Sequence, residues 1–180
     1  QDAILPNLVQ TTEGVPAFVH GGPFGNIAHG CNSIVATRTA LALGEYAITE
    51  AGFGFDLGAE KFFDIKCRVS GLWPSAVVLV VTARALRAHG GDDGKRELSP
   101  AEALAALARG IEHLDQHVSS ARTFGFVPVV SINGFPKDTE EELRMIEEGC
   151  AQRGMACSRF WGFAKGGEGA EDLARKVVEA

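Results

Sequence analysis

The chain has 180 residues, 46% of them hydrophobic, and a formal charge of −6 at pH 7. This length is enough for one domain with a sizeable core, and no apolar run approaches the ~20 residues that span a bilayer. The acidic balance without a basic cluster argues against non-specific nucleic-acid binding. Four well-separated cysteines without a signal peptide predict thiols in a reducing compartment, and a first residue other than Met predicts an excised or processed piece of a longer protein.

Short apolar runs alternate with longer segments of helical period, a pattern that predicts an α/β fold with a mostly parallel sheet flanked by helices. In the first half, a strand is predicted over residues 16–20, a glycine-rich turn over 20–26 and a helix that ends at Gly44. A buried strand is predicted over residues 46–49, and a helix over 59–68.

The second half continues the alternation with longer elements. Ser99 and Pro100 predict the cap and the first position of a long helix. The remaining elements are, in chain order, strands over residues 75–82 and 127–132, a helix over 137–154, a strand within 155–164 and a helix over 170–180. The sequence therefore predicts a single α/β domain over residues 1–180.

Four loops follow the predicted strands, over residues 20–26, 50–58, 133–138 and 160–169. Because ligands of parallel sheets bind at the carboxyl ends of the strands, these loops are expected to line one cleft. Their glycines let the backbone approach a ligand closely, and a following helix N-terminus offers amides to an anion. His20 lies in the first loop, for which a tight strand-to-helix connection is an equally good interpretation.

The side chains in the other three loops each allow a structural and a functional interpretation. Glu50 follows a predicted strand where P-loop NTPases carry a carboxylate that organises magnesium, but acids at strand ends are common. Asn133 stands where such proteins often read a nucleobase, or in an ordinary turn. Phe163 is followed by Lys165 and three glycines, so its ring either stacks on a flat heterocycle or anchors the core.

The sequence contains one candidate metal-binding pair and lacks two common nucleotide-binding motifs. His113 and His117 have the i, i+4 spacing of a zinc pair, but no third ligand accompanies them, so a solvated helix face is favoured and no metal site is predicted. The sequence contains neither GxxxxGKS/T nor a GxGxxG after a strand. It therefore carries no P-loop, and a Rossmann site is not expected.

Five stretches resemble formate–tetrahydrofolate ligase, also called formyltetrahydrofolate synthetase, and occur in the order found in that family. They are PNLVQTTEGVPAFVHGGPFGNIAHGCNS, TEAGFGFDLGAEKFFDIKCR, VVTARALRAHGG, INGFPKDTEEEL and AKGGEG. Together they cover nearly the whole chain, and VVTARALRAHGG is similar to a signature pattern of the family. The resemblance implies a P-loop-NTPase-like α/β enzyme, with truncation as an open alternative.

The activity that the resemblance implies is the joining of formate to N10 of tetrahydrofolate with ATP. Formate attacks the γ-phosphate to give formyl phosphate, and the folate amine then attacks the formyl carbon and releases phosphate. The implied cofactors are ATP, magnesium and a monovalent cation, with formate and tetrahydrofolate as substrates. The resemblance also implies a homo-oligomer, and we expect a cytoplasmic protein without nucleic-acid or membrane partners.

By motif, the resemblance implies site residues in all four loops. Phe53 and Gly54 would lie beside formyl phosphate, with Glu50 close by. His20 faces the same cleft as a fourth catalytic candidate. Phe163 falls where the family usually has a tryptophan that stacks on the pterin, and Trp161 lies two residues earlier, so both rings stay open as stacking partner. The candidates for binding substrate are Phe135, Pro136, Trp161 and Phe163, and those for binding nucleotide are Asn133, Lys165, Gly166 and Gly167.

The chain also departs from the family's pattern. Gly134 stands where an Arg is common, and Phe55 and Gly25 each stand where an Ala is common. The family's chains are several times longer than a single domain and carry a P-loop in an N-terminal part that this sequence does not contain. We expect the chain to be part of a longer or composite ligase, and to be inactive or weakly active alone. The alternatives are a non-catalytic module that acts by folate binding or subunit assembly, and half of a composite site in another P-loop NTPase.

Overall fold

The computed structural model describes residues 5–19 and 31–180. Backbone contacts divide the chain into two compact units, residues 1–74 and 75–180. The assignment of one domain to the whole chain stays a prediction. Within the described residues, no helix is long and apolar enough to cross a membrane.

The first unit begins with an antiparallel hairpin. Strand β1 (Asn7–Gln10) pairs with β2 (Pro16–Val19), and the turn between them places Gly14 at a φ of +83°. The prediction of a strand from residue 16 is confirmed as far as residue 19, where the described range ends. Strand β1 was not predicted, because four exposed residues are too few to show an alternating pattern.

Helices make up most of the rest of the first unit. Helix α1 (Ile34–Leu43) begins after Ser33, whose hydroxyl accepts a hydrogen bond from the Ala36 amide at 3.1 Å, and it ends at Gly44 as predicted. The predicted helix over 59–68 is confirmed, but most of it is wound more widely than an α-helix. Its parts are the π-helical segments Phe55–Ala59 and Phe62–Cys67, followed by α2 (Arg68–Ser70).

The prediction of a buried strand over residues 46–49 is wrong. Within the described residues this segment pairs with no strand, and the side chain of Ile48 is 97% exposed. A short, mostly apolar run has the length of a strand, but it forms a strand only when a neighbouring strand pairs with it. Glu50 therefore follows a segment without regular secondary structure and does not lie at the end of a sheet strand.

The second unit is a three-stranded parallel sheet with helices around it. Strands β3 (Val78–Val81), β4 (Val129–Asn133) and β5 (Cys157–Phe160) lie in that order. The expected α/β class and parallel sheet are confirmed. The helix over Ala83–His89 was not predicted. The helices are α3 (Ala83–His89), α4 (Pro100–Thr123), α5 (Glu140–Gln152), α6 (Gly162–Lys165) and α7 (Glu171–Glu179), with a 3-10 turn at Gly166–Ala170.

The two longest helices of the second unit begin with capping boxes. At the start of α4, the Ser99 hydroxyl accepts from the Glu102 amide while the Glu102 carboxylate accepts from the Ser99 amide. Thr139 and Glu142 form the same reciprocal pair at the start of α5. These pairs satisfy amides that a helix N-terminus otherwise leaves without a partner, so the helix starts are fixed locally by the sequence.

Helices α3 and α4 approach each other through two glycines. A Cβ on Gly110 of α4 would lie 1.7 Å from the carbonyl oxygen of Leu86, and a Cβ on Gly90 would lie 1.7 Å from the carbonyl oxygen of Ala106. Only hydrogen fits at either position. Gly90 belongs to the stretch VVTARALRAHGG, so one glycine of that stretch has a packing role between two helices.

Candidate functional site

In the second unit, the predicted loops begin side by side at the carboxyl edge of the sheet. Asn133, the last residue of β4, is the register partner of Phe160, the last residue of β5. The Gly134 amide continues the ladder by donating to the Phe160 carbonyl at 3.0 Å. The loops after β4 and β5 therefore leave the sheet together, as expected for parallel neighbours.

The indole ring of Trp161 lies directly against the backbone of Gly134. A Cβ on Gly134 would lie 2.7 Å from Cη2 and 2.8 Å from Cζ3 of that ring. Any larger side chain at residue 134 would displace the ring, so the glycine at this position and the tryptophan fit as a pair. Trp161 is half-buried, with part of its surface committed to this contact.

The loop that follows β5 folds back onto Trp161. The Trp161 amide donates to the Gly169 carbonyl at 2.9 Å, and the Trp161 carbonyl accepts from the Lys165 amide at 2.9 Å. Gly166 has a φ of +59°, a backbone conformation that favours glycine. Lys165 and Gly167, two of the predicted nucleotide-binding residues, are exposed on this loop.

Phe163 and Trp161 occupy different environments on this loop. The Phe163 side chain is fully exposed, whereas the Trp161 ring is packed on Gly134. A single exposed apolar side chain is common on protein surfaces and does not by itself mark a site. The exposure of Phe163 thus favours it as the ring with both faces available, and its role in stacking stays a prediction.

The loop after β4 is anchored at both ends. The Phe135 amide donates to Asp138 Oδ2 at 2.8 Å, and the Asp138 amide donates to the Phe135 carbonyl at 2.9 Å. These two bonds make a compact turn that leaves Pro136 and the Phe135 ring exposed. Both predicted substrate-binding residues of this loop therefore present their side chains to solvent.

An ion pair between Arg87 and Glu142 lies next to the end of the same loop. The buried carboxylate of Glu142 uses Oε2 for the Thr139 cap and Oε1 for the guanidinium of Arg87 on α3. Arg87 also lies 3.6 Å from Asp92. The Thr-x-x-Glu pattern predicts the cap, but sequence reasoning missed Arg87, because nothing in the sequence links α3 to the start of α5.

In the first unit, the loop with Phe53 and Gly54 has a strained backbone. Phe53 has a φ of +69° and is the single non-glycine residue with positive φ in the described part of the chain. Its side chain is 60% exposed. A bulky residue in this conformation costs about 1–3 kcal/mol, and such strain is found mainly at functional sites.

The rest of this loop is closely packed on its own backbone. A Cβ on Gly58 would lie 1.5 Å from the Gly52 carbonyl oxygen, and a Cβ on Gly54 would lie 2.6 Å from Asp56 Oδ1. The Gly54 carbonyl accepts from the Gly58 amide at 2.8 Å. The glycines therefore hold one defined loop shape, on which the Phe53 ring and the Glu50 side chain are exposed.

A buried lysine in the first unit was missed by sequence reasoning. Lys66 is 3% exposed, donates a hydrogen bond from Nζ to Asn32 Oδ1, and lies over the Phe62 ring with Nζ 4.9 Å from its centroid. Burial lowers the pKa of Lys66, and the half-buried Cys31 thiol nearby has a pKa that burial raises. Lysine is rarely buried, so no composition or spacing rule would have placed it inside.

The predicted site residues fall into three groups. Glu50, Phe53 and Gly54 lie on one loop of the first unit, and His20 with its glycine-rich turn lies outside the described residues. The third group shares the carboxyl edge of the sheet in the second unit. Its members are Asn133, Phe135, Pro136, Trp161, Phe163, Lys165, Gly166 and Gly167.

Metal ligands are not gathered at these loops. Among residues 5–19 and 31–180, no group of three or more His, Cys, Asp or Glu side chains could hold a metal ion. His113 stacks on His89 with ring centroids 4.1 Å apart, so its ring packs α4 against α3. The magnesium and the monovalent cation that the resemblance implies stay expectations.

Comparison with known proteins agrees with the five stretches. The family model for formate–tetrahydrofolate ligase matches residues 1–180. Formate–tetrahydrofolate ligases of Methylobacterium nodulans, Granulibacter bethesdensis and Bacteroides thetaiotaomicron are 58%, 54% and 54% identical over 99% of this chain. The chain spans about a third of the length of these relatives, 31–32%. Since the match covers the chain from end to end, the chain belongs to the formate–tetrahydrofolate ligase family.

Proposed function

We propose that this chain supplies the acyl-phosphate and folate loops of an ATP-dependent, cytoplasmic ligase that joins formate to tetrahydrofolate. The observation that carries the proposal is the strained Phe53 on an otherwise glycine-rich loop. Glycine would occupy a φ of +69° without strain, so an exposed phenylalanine there indicates selection for the ring itself. We also propose that the parallel sheet of the second unit belongs to a P-loop-NTPase-like fold.

The chemistry sets the demands on these loops. A formate oxygen attacks the γ-phosphorus of ATP and ADP leaves. The N10 amine of tetrahydrofolate then attacks the formyl carbon, and phosphate leaves. Formyl phosphate is a mixed anhydride that water destroys, so the site must hold it in a fixed pose and exclude water. The Phe53 ring covers the intermediate, and the compact Gly52–Gly58 turn fixes the position of that ring.

The loops of the second unit bind the flat substrates in this proposal. Phe163 stacks on the pterin, and the Phe135–Pro136 turn lies along the folate and nucleotide. Asn133, Lys165 and the glycines at 166 and 167 contact the nucleotide. The Trp161 ring serves as a fixed support between the two loops, because it already packs on Gly134.

Replacing Phe163 with alanine is expected to weaken tetrahydrofolate binding about 10-fold or more, since stacking on an aromatic ring contributes roughly 1–3 kcal/mol per heterocycle. Isothermal titration calorimetry of the chain with tetrahydrofolate measures this, and Phe163→Trp should restore affinity. Tyr46→Ala, which removes another exposed ring, is the control and should leave binding unchanged. Equal affinity of the wild-type chain and Phe163→Ala for tetrahydrofolate would show that the pterin does not stack on Phe163.

Replacing Phe53 with glycine separates function from stability. We expect the free energy of unfolding to change by less than about 1 kcal/mol, because relief of the left-handed strain offsets the added chain entropy. Turnover should fall about 10-fold or more, since the intermediate loses its cover. Turnover is measured in a chimera in which residues 1–180 replace the matching segment of the Methylobacterium nodulans ligase, with ATP, formate and tetrahydrofolate.

Phe55→Ala is the control for that experiment, because it changes a neighbouring ring at a position where the family commonly has Ala. It should keep turnover near the wild-type level. An unchanged rate for Phe53→Gly would show that the ring has no part in the reaction. A chimera that binds tetrahydrofolate but forms no formyltetrahydrofolate would instead favour a non-catalytic binding module.

A further inference from the structure

We propose that the buried Lys66 is a positioning residue, which acts through Asn32 to hold the loop over residues 50–58 in its strained shape. Lys66 lies outside the four predicted loops, and no step of the chemistry described above uses it. The loop over residues 50–58 is the one to which the proposed function assigns the acyl phosphate. The kinetic part of the inference therefore rests on that function, whereas its structural part stands without it.

A chain of contacts within the first unit connects Lys66 with this loop. The Lys66 ammonium donates a hydrogen bond to Asn32 Oδ1, and the same oxygen accepts from Thr37 Oγ1 at 3.1 Å. The residue before Asn32 is Cys31, which forms an antiparallel bridge with Ala51, the second residue of the loop. Lys66 thus ties the second π-helical segment to the start of α1 and, through the bridge, to the loop.

Burying Lys66 does not by itself stabilise the first unit. The side chain is 3% exposed, and no carboxylate among residues 5–19 and 31–180 forms an ion pair with it. Burial lowers the pKa of Lys66, so the folded chain binds this proton less tightly than the unfolded chain does, and folding loses stability. A methionine would fill a similar space without that cost. We therefore assign the lysine to the hydrogen bond that it makes.

The loop needs support from outside, because its own backbone is strained. Phe53 has a φ of +69°, and such a conformation persists only where the surrounding structure enforces it. The bridge at Ala51 lies two residues before Phe53. After Phe53, the Gly54 carbonyl accepts from the Leu57 amide at 3.1 Å and from the Gly58 amide at 2.8 Å. The exchange rates of these two amides with solvent therefore report whether the loop keeps its shape.

Hydrogen exchange of the chain tests the positioning role without any substrate. Lys66→Met should raise the exchange rates of the Leu57 and Gly58 amides about tenfold, while the midpoint of urea unfolding stays the same or rises. Lys61→Met is the matched control, because it removes the same charge from a half-buried side chain of the same helical stretch, and it should leave both rates unchanged. Unchanged rates in Lys66→Met, or an equal rise at every amide of the first unit, would overturn the proposal.

Variants of Asn32 test the same hydrogen bond from its acceptor. Asn32→Leu should speed exchange at the loop as Lys66→Met does, and the double variant should exchange no faster than either single variant, since both break one interaction. Asn32→Asp keeps an oxygen where the ammonium donates and should protect the loop as the wild type does. Additive effects in the double variant, or equal effects of Asn32→Asp and Asn32→Leu, would contradict the contact.

Turnover in the chimera with the Methylobacterium nodulans ligase connects the loop to the reaction. Lys66→Met should lower kcat about tenfold and leave KM for tetrahydrofolate near the wild-type value, because the loops to which folate binding is assigned are unchanged. Faster exchange with normal turnover would support the assignment of Lys66 to the loop and count against the proposed function of that loop. Lower turnover with normal exchange at the loop would overturn the assignment of Lys66.

Discussion

Replacing Gly110 with alanine is expected to lower the free energy of unfolding of the second unit by about 3 kcal/mol or more. The added Cβ would stand 1.7 Å from the Leu86 carbonyl oxygen, a distance at which one helix must move. The nearest atoms are backbone atoms of Leu86, so rotation of a side chain cannot relieve the clash. Urea denaturation monitored by circular dichroism measures the change.

The control for this variant is Gly125→Ala. At Gly125 nothing lies within 4 Å of an added Cβ, but φ is +89°. This variant should cost only about 1 kcal/mol, from backbone conformation alone. The additional loss of unfolding free energy in Gly110→Ala, relative to Gly125→Ala, then measures the contribution of the close contact between α3 and α4. If both variants lose the same stability, the two helices do not pack as closely in solution as the glycine contact requires.

Replacing Glu142 with glutamine is expected to destabilise the second unit by about 2 kcal/mol, because a buried hydrogen-bonded ion pair loses one of its charges. Glu142 is 2% exposed, and its carboxylate is shared between Arg87 and the Thr139 cap. The single amide oxygen of glutamine cannot accept hydrogen bonds from both the Thr139 cap and the Arg87 guanidinium as the two carboxylate oxygens do. We also expect faster amide exchange at Phe135 and Asp138, whose loop ends at this cap.

Glu141→Gln is the matched control for the ion pair. It removes the same charge from the same first turn of α5, but from an exposed side chain. The effect of the helix dipole is therefore common to both variants, and Glu141→Gln should cost less than about 0.5 kcal/mol. Similar losses for the two variants would mean that Arg87 contributes little to holding the loop after β4.

Sequence patterns predicted those helix ends that are determined by residues within or next to the helix itself. Ser99 and Pro100 predicted the start of α4, and Gly44 predicted the end of α1, because each of these residues acts on the end of its own helix. Strand β3 is a continuous apolar run and β4 is mostly apolar, which is typical of parallel strands, whereas β5 contains Ser158 and Arg159. The failure at residues 46–49 has the opposite cause, since a strand exists only through a partner.

The candidate site was predictable to the level of its loops. Glycine, proline and aromatic residues after predicted strands indicated the loops after β4 and β5, and parallel topology places both at one edge. The contacts that shape those loops were not predictable. The Trp161 ring on Gly134 and the carboxylate of Glu142 on Arg87 join residues that are distant in sequence.

The sequence by itself determined the family, the α/β class and the residue types offered at the site, because motifs and local periodicity are carried by neighbouring residues. Tertiary structure alone decided which of those residues are exposed, strained or paired. It placed Phe53 in a left-handed backbone, buried Lys66 on Asn32, and packed the Trp161 ring on Gly134. Each of these depends on the approach of separate segments, which no local pattern encodes.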